Sequence, residues 1–256
     1  MGQIHFIGGE KRGVGKSLTA RLLSQYLIDH EYPFIGFDTD QSHQTFSRFY
    51  REFTTMIKSD QFESLDDLIQ AAEDNPKTNI VVDLAAQTSA NLNKWIQASD
   101  AIDIFRELNF NVFYWHVMDD GVDSSYLLEK WLNQYKETNI QLVIVKNQGR
   151  GEDFTRFEAS ETHQLAKDSQ AIFIQLAKLQ PGLCNKIDFH HSSFWAAANN
   201  RAVMSIAERR RVSNWLEFNY QQFEIALLPH FPEDKAESAQ EEAEATATEL
   251  PVDMDA

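Results

Sequence analysis

Near the start of the chain, glycines and lysines crowd into one stretch that ends in a serine, Gly8-Gly9-Glu10-Lys11-Arg12-Gly13-Val14-Gly15-Lys16-Ser17. Glycines permit a tight turn in which backbone N–H groups converge, and such a turn opening a helix binds phosphate. Lys16 would bring a positive charge to the β- and γ-phosphate oxygens, and the Ser17 hydroxyl would hold Mg²⁺. An apolar run, Ile4-His5-Phe6-Ile7, precedes the stretch. Leu18, Leu22, Leu23, Tyr26 and Leu27 follow it at near-helical spacing. Strand, turn and helix therefore stand in the order a P-loop needs. The spacing departs from G-x-x-x-x-G-K-[ST]: Glu10 occupies the first glycine position, and a second lysine, Lys11, stands five residues before Lys16. The competing reading is a glycine-rich turn with incidental lysines.

Three further places have chemistry-bearing residues where apolar runs end. Asp38 and Asp40 follow Phe34-Ile35-Gly36-Phe37; Asp83 follows Asn79-Ile80-Val81-Val82; Asn147 follows Leu142-Val143-Ile144-Val145-Lys146. In open α/β sheets the ligand sits beyond the carboxyl ends of the strands. Phosphoryl transfer needs positioning and charge neutralisation, so carboxylates around a metal suffice. Asp83 has the Walker B pattern, and Ala85-Ala86-Gln87-Thr88 behind it stands where a switch loop would sense the γ-phosphate. Asp38 and Asp40 read equally as turn or N-cap aspartates, and Asn147 as a turn asparagine. His43 reads as a surface or capping neighbour of these aspartates. His190, His191 and the other histidines lack metal-ligand spacing, which argues against zinc.

The deviant loop, Lys11-x-Gly13-x-Gly15-Lys16-Ser17, resembles the ParA/MinD class of P-loop ATPases. Within that class, stretches such as IHFIGGEK, GVGKS and GFDTD resemble ParA-like ATPases of mobilisable plasmids. The resemblance covers most of residues 1–176. It implies ATP and Mg²⁺ as cofactors. Nucleotide contacts would come from Gly13, Val14, Gly15, Lys16, Ser17 and Leu18, with Asn147 at the adenine. Ser17, Asp38 and Asp83 would form the metal shell, and Asp40 would position the hydrolytic water. Lys11 would act across an ATP-dependent homodimer, so Lys11, Lys16 and Asp40 are the catalytic set. Two departures stand out. Arg12 occupies a class glycine position, where a long cation could clash with a partner subunit or pair with phosphate. Glu10 adds a negative charge that Lys11 could offset.

The elements that must position these residues alternate as βαβ units, so the fold expected is α/β: a doubly wound, mostly parallel sheet of the P-loop NTPase type with helices on both faces. Strands are expected at Gln3–Ile7, 34–37, 79–82, Asn111–Val117, Ile140–Val145 and Ala171–Leu176, with a short extended piece near Ile57. Helices are expected at about 17–30, 44–51, 64–74, 91–108, 123–135 and 154–168. Ser64 and Asp67 suggest a capping box. Pro181 would start a short helix, and C-terminal helices are expected at 193–200 and 204–228.

The chain has 256 residues with 43% hydrophobic content, enough for a substantial core, read as a P-loop ATPase domain at 1–230. Residues 231–256 read as a disordered acidic tail. From Glu233 onward they hold nine carboxylates and one lysine, half of the chain's net charge of −16. No apolar run reaches membrane-span length, no secretory signal is seen, and the single cysteine, Cys184, fits a reducing compartment, so a cytoplasmic protein without membrane insertion is expected. The acidity disfavours strong DNA binding by the whole surface. Arg209-Arg210-Arg211 reads as a solvated helix face or a weak, non-specific DNA or partner contact.

The function expected is an ATP-binding and hydrolysing dimeric switch with weak turnover, acting with a protein partner of a DNA-handling or positioning complex in plasmid partition, mobilisation or cargo positioning. One alternative is a nucleotide-binding interaction module that does not hydrolyse, because Arg12 impairs the dimer. Another is a metabolic ligase or kinase, which would need a second substrate pocket.

Overall fold

The structure is a computed structural model and describes residues 1–135 and 138–230. The expected acidic tail at 231–256 lies outside the described residues. Seven strands form one sheet: β1 (Gly2–Gly8), β2 (Phe34–Asp38), β3 (Thr54–Met56), β4 (Asn79–Asp83), β5 (Phe110–Met118), β6 (Ile140–Asn147) and β7 (Ile172–Leu176). Their spatial order is β3-β2-β4-β1-β5-β6-β7, and every pairing is parallel. The central strands are buried on both faces, which is why β1, β4 and β5 read as near-continuous apolar runs.

Among the described residues ten α-helices connect and cover the strands: α1 (Lys16–Asp29), α2 (Phe62–Asp74), α3 (Ser89–Ser99), α4 (Ala101–Glu107), α5 (Val122–Tyr135), α6 (Thr155–Glu158), α7 (Glu161–Asp168), α8 (Pro181–Phe189), α9 (Phe194–Asn199) and α10 (Ile206–Leu227). Two cores result. One packs α1, α8, α9 and α10 against one face around Leu22, Leu23, Trp115, Val212 and Phe223. The other packs α2 to α5 and α7 against the opposite face around Phe6, Leu68, Trp95, Phe105 and Leu128.

Four local expectations differ from the structure. The 91–108 helix is two helices, broken where Asp100 adopts φ 48°, a left-handed conformation that Asp tolerates better than most residues. The 154–168 helix is likewise split, because Ser160 leaves the helical conformation to cap α7 through its side chain and His163 N–H. Residues 44–51 form successive turns rather than a helix: Phe46 and Ser47 N–H donate to the buried Asp38 carboxylate, and Arg48 and Tyr50 N–H donate to Gln44 and Phe46 O. Ser64 lies inside α2, whose N-cap is Gln61, and its hydroxyl accepts from Lys58 N–H, so it makes no capping box. The capping box occurs instead at α10, between Ser205 and Glu208.

The strand order reverses at β1: the chain runs outward to β2 and β3, returns to β4, then crosses to β5. The carboxyl ends of β4, β1 and β5 therefore bound a topological switch point, where an α/β sheet binds its ligand. Register brings the expected residues to this edge. Asp38 lies beside Asp83, Asp83 beside Ile7, and Gly8 beside His116.

Candidate functional site

The loop between β1 and α1 is held open by glycine conformations. Gly9, Gly13 and Gly15 have φ of 120°, 77° and 106°. At Gly15 a second constraint applies, since a Cβ there would lie 2.1 Å from Asn147 Nδ2. Gly15 is also the N-cap of α1 and offers no side-chain acceptor. The first-turn N–H groups of α1 are thus left for an external anion, with the helix dipole behind them. Arg12 is not among the described residues with positive φ. The backbone accepts it without strain, and its side chain is exposed on the cavity rim.

Lys16 is largely buried, and its Nζ donates to Lys11 O at 3.0 Å. Burial lowers its proton affinity, while the charges of Asp83, Glu10 and Asp40 raise it. Lys11 does not offset Glu10. Its Nζ pairs with Asp119 just beyond β5, at 3.0 Å from Oδ1 and 2.8 Å from Oδ2. Glu10 reaches the other way, and its Oε1 accepts from Ser89 N–H at the start of α3. Asn147 stands beneath the loop. Its Nδ2 donates to Val14 O at 2.7 Å and its Oδ1 accepts from Gly149 N–H. An adenine contact would draw on its second amide N–H.

The three carboxylates on the other side have different surroundings. Asp38 is wholly buried; Oδ1 accepts from Asp40 N–H, and Oδ2 from Phe46 and Ser47 N–H. Burial raises its pKa against these hydrogen bonds. Asp40 is more open and faces the cavity, with Oδ1 accepting from Ser42 and His43 N–H and Oδ2 lying 3.2 Å from His43 Nδ1. Burial pushes its pKa up, but the His43 and Ser42 hydrogen bonds prevail and hold it below the usual value. Asp83 is 1% exposed, and among the described residues neither of its oxygens has a hydrogen-bond partner. Burial drives its pKa up to about 8, against the pull of Ser17 and Lys16.

An unpartnered buried carboxylate beside a serine hydroxyl suits a hydrated divalent cation, which would satisfy both oxygens. Ser17 and Asp83 are therefore the residues that fit Mg²⁺. No group of three or more His, Cys, Asp or Glu side chains able to cage a metal occurs among the described residues. A cation here would thus draw most of its ligands from phosphate and water.

The loop glycines, Lys16, Ser17 and Asp40 open into a cavity of about 610 Å³ above the switch point. The phosphate loop and Ser17 form one wall, Asp40 to Thr45 and Leu84 to Ala86 another, and Arg150, Leu179 and the α8–α9 segment the rest. The volume falls within the range of small-molecule sites.

Comparison of the whole fold with solved structures gives MinD from Pyrococcus horikoshii OT3, complexed with Mg-ADP, at a TM-score of 0.54, covering 85% of this chain and 95% of that one. MinD in a MinC:MinD complex from Aquifex aeolicus aligns with a TM-score of 0.51 over 84% and 94%. The chain has the MinD/ParA-type P-loop ATPase fold. Sequence identity to these structures is only 11% and 10%. By sequence the chain is similar to a protein named MobD from Acidithiobacillus ferrooxidans, 24% identical over 162 residues, spanning 62% of this chain and 70% of that protein. No family model matches the chain.

Within this MinD/ParA-type fold, three contributors escaped the sequence analysis. Thr39 accepts from Ala85 N–H at 2.7 Å and donates to Asp83 O, fastening the switch-loop position to the end of β2. Asp119 holds Lys11. Arg21, on α1, lines the cavity with its guanidinium between Phe49 and Phe194. Asp119 could have been noticed as another strand-end aspartate. Arg21 gave no signal, because its neighbours come from segments distant in sequence. Arg209 to Arg211 lie in the second turn of α10, where Arg209 donates to Met204 O and Arg210 and Arg211 are exposed. Among the described residues no helix is long and apolar enough to cross a membrane.

Proposed function

We propose that the protein is an Mg²⁺-dependent ATP-binding and hydrolysing dimeric switch. In this reading it acts with a partner protein in plasmid partition, mobilisation or cargo positioning. The observation that carries the reading is the conjunction of an uncapped α1 N-terminus behind Gly13 and Gly15, buried Lys16, and the unpartnered carboxylate of Asp83 beside Ser17. The phosphates take the N–H groups of Gly13 to Leu18 and the Lys16 ammonium. Ser17 and Asp83 would hold Mg²⁺, which would supply neutralisation of phosphate charge, with Asp38 shaping the metal-side loop. Asp40, already ionised and open to the cavity, orients water. Asn147 sets the base end of the loop, and Lys11 leaves Asp119 to reach the nucleotide of a second subunit. The test is ATP-dependent dimerisation and phosphate release, wild type against Lys16→Ala. Wild type is expected to bind ATP, dimerise and release phosphate slowly, and the variant to do none of these. A wild type that binds no ATP overturns the reading.

A second reading has its own support, because Lys11 is engaged within its own chain and Arg12 stands on the cavity rim. In that reading the protein binds nucleotide as an interaction module without turnover. Arg12→Gly should then switch on hydrolysis, and equal rates in wild type and variant count against it.

A further inference from the structure

The cavity holds more positive charge than the phosphate loop accounts for. Lys16 and Arg12 stand at the loop, whereas Arg21 and Arg150 line other walls. Arg21 lies four residues past Ser17 on α1, about one helical turn deeper. It is 4% exposed, and its Nε and Nη2 are buried without a hydrogen-bond partner among the described residues. Nη1 donates to Asp188 Oδ1 at 3.1 Å. Asp188 is itself half exposed and faces the same cavity. The Arg21 Cζ atom sits 3.5 Å from the ring centre of Phe49 and 4.6 Å from that of Phe194.

A buried guanidinium with half of its fork unused is costly unless an anion completes it. Aromatic faces return part of that cost, and an oxyanion that presents two oxygens returns more through paired, charge-assisted hydrogen bonds. Polar Ser42, His43 and Thr45 border the same cavity.

We propose that Arg21 anchors a second anion subsite in this cavity, one that takes a phosphate or carboxylate group separate from the triphosphate at the loop. The proposal rests on the reading that the loop holds ATP. The incoming group joins or displaces Asp188 on the guanidinium fork. Asp188 is thus a resident counter-ion whose removal favours the ligand.

The experiment loads the full chain with Mg²⁺ and the β,γ-imido analogue of ATP, then titrates inorganic phosphate or succinate by calorimetry. At least one anion should bind with the nucleotide in place. Arg21→Met should weaken that binding about tenfold or more, the value of one charged hydrogen-bond pair, with nucleotide affinity held within about threefold. Asp188→Asn should tighten it, a second arm that survives if Arg21→Met fails to fold. Binding of phosphate alone assigns the subsite to phosphate groups; binding of succinate assigns it to carboxylates as well. Failure of both anions to bind the loaded protein, or binding unchanged in Arg21→Met, overturns the proposal. If the nucleotide analogue itself does not bind, the loop reading fails separately. The anions are then titrated against the free chain, where binding kept in Lys16→Ala and lost in Arg21→Met supports the subsite, and the reverse pattern sinks it.

Discussion

Asp38 and Asp83 lie side by side at the ends of adjacent parallel strands, and both are buried. Their surroundings are opposite. Asp38 collects three backbone N–H groups from the segment that follows β2. Asp83 collects none. The difference separates two uses of a buried carboxylate. Asp38 supplies the acceptors that the irregular segment 39–50 needs, since a buried turn cannot leave its N–H groups unpaired. Asp83 keeps its desolvation unrelieved, and an incoming cation is what would relieve it. Asp119, beyond β5, is intermediate: it takes Gly121 N–H, the Ser124 hydroxyl and the Lys11 ammonium at a partly exposed site.

The largest effect that would sharpen this contrast is on folding. Asp38→Ala strands three N–H groups and should cost about 3 kcal/mol or more, lowering Tm by roughly 10 °C. Asp83→Ala should leave stability unchanged or raised while removing the Mg²⁺ dependence of nucleotide binding. Equal destabilisation by the two variants, read by thermal melts, would break the comparison.

The next effect is a pH dependence. The Asp83 carboxyl ionises near pH 3.8 in the unfolded chain but near pH 8 in the fold. Its contribution to stability is complete below pH 3.8 and is lost progressively as pH rises to about 8. The nucleotide-free protein should therefore lose stability between pH 5 and pH 8.5, by on the order of a few kcal/mol. Asp83→Asn should flatten that slope, and a slope unchanged in Asp83→Asn assigns the titration elsewhere.

Asp119→Asn should have a smaller effect, about 0.5 kcal/mol at pH 7, because the ion pair is partly exposed and screened. Its pKa is raised by burial but lowered further by the Lys11 and Ser124 hydrogen bonds, so its contribution is present at neutral pH and fades on acidification. If Lys11 must leave Asp119 to reach a second subunit, this variant should also dimerise at lower protein concentration in ATP; sedimentation at several concentrations decides. The smallest effect expected is for Glu10→Gln. The amide oxygen can still accept from Ser89 N–H, so only the charge at the start of α3 is lost, about 0.3 kcal/mol. Chemical denaturation should barely separate it from wild type.

Much of the site could be read from the residues alone. The glycine spacing, Lys16 and Ser17, and the apolar runs ending in Asp38, Asp83 and Asn147 are local patterns, because a central parallel strand must be apolar and must end where its loop begins. The helix breaks at Asp100 and Ser160 were not legible. Each is one residue whose left-handed or capping conformation competes with a helical pattern continuing on both sides. Segment 44–51 has helical periodicity, yet it stays in successive turns around the buried Asp38 carboxylate, which sits on it from β2.

A phosphate-type loop between a buried strand and a helix follows from local composition, because glycine conformation and strand apolarity are set residue by residue. The carboxylates at successive strand ends follow in the same way. Their surroundings came from the packing of distant segments. Register set Asp38 beside Asp83 and gave the N–H groups to one alone. The packing of α8 and α9 over α1 enclosed Arg21, and the turn after β5 carried Asp119 to Lys11. These outcomes depend on desolvation and on which donors arrive from elsewhere in the chain, and neither quantity is written at the position it controls.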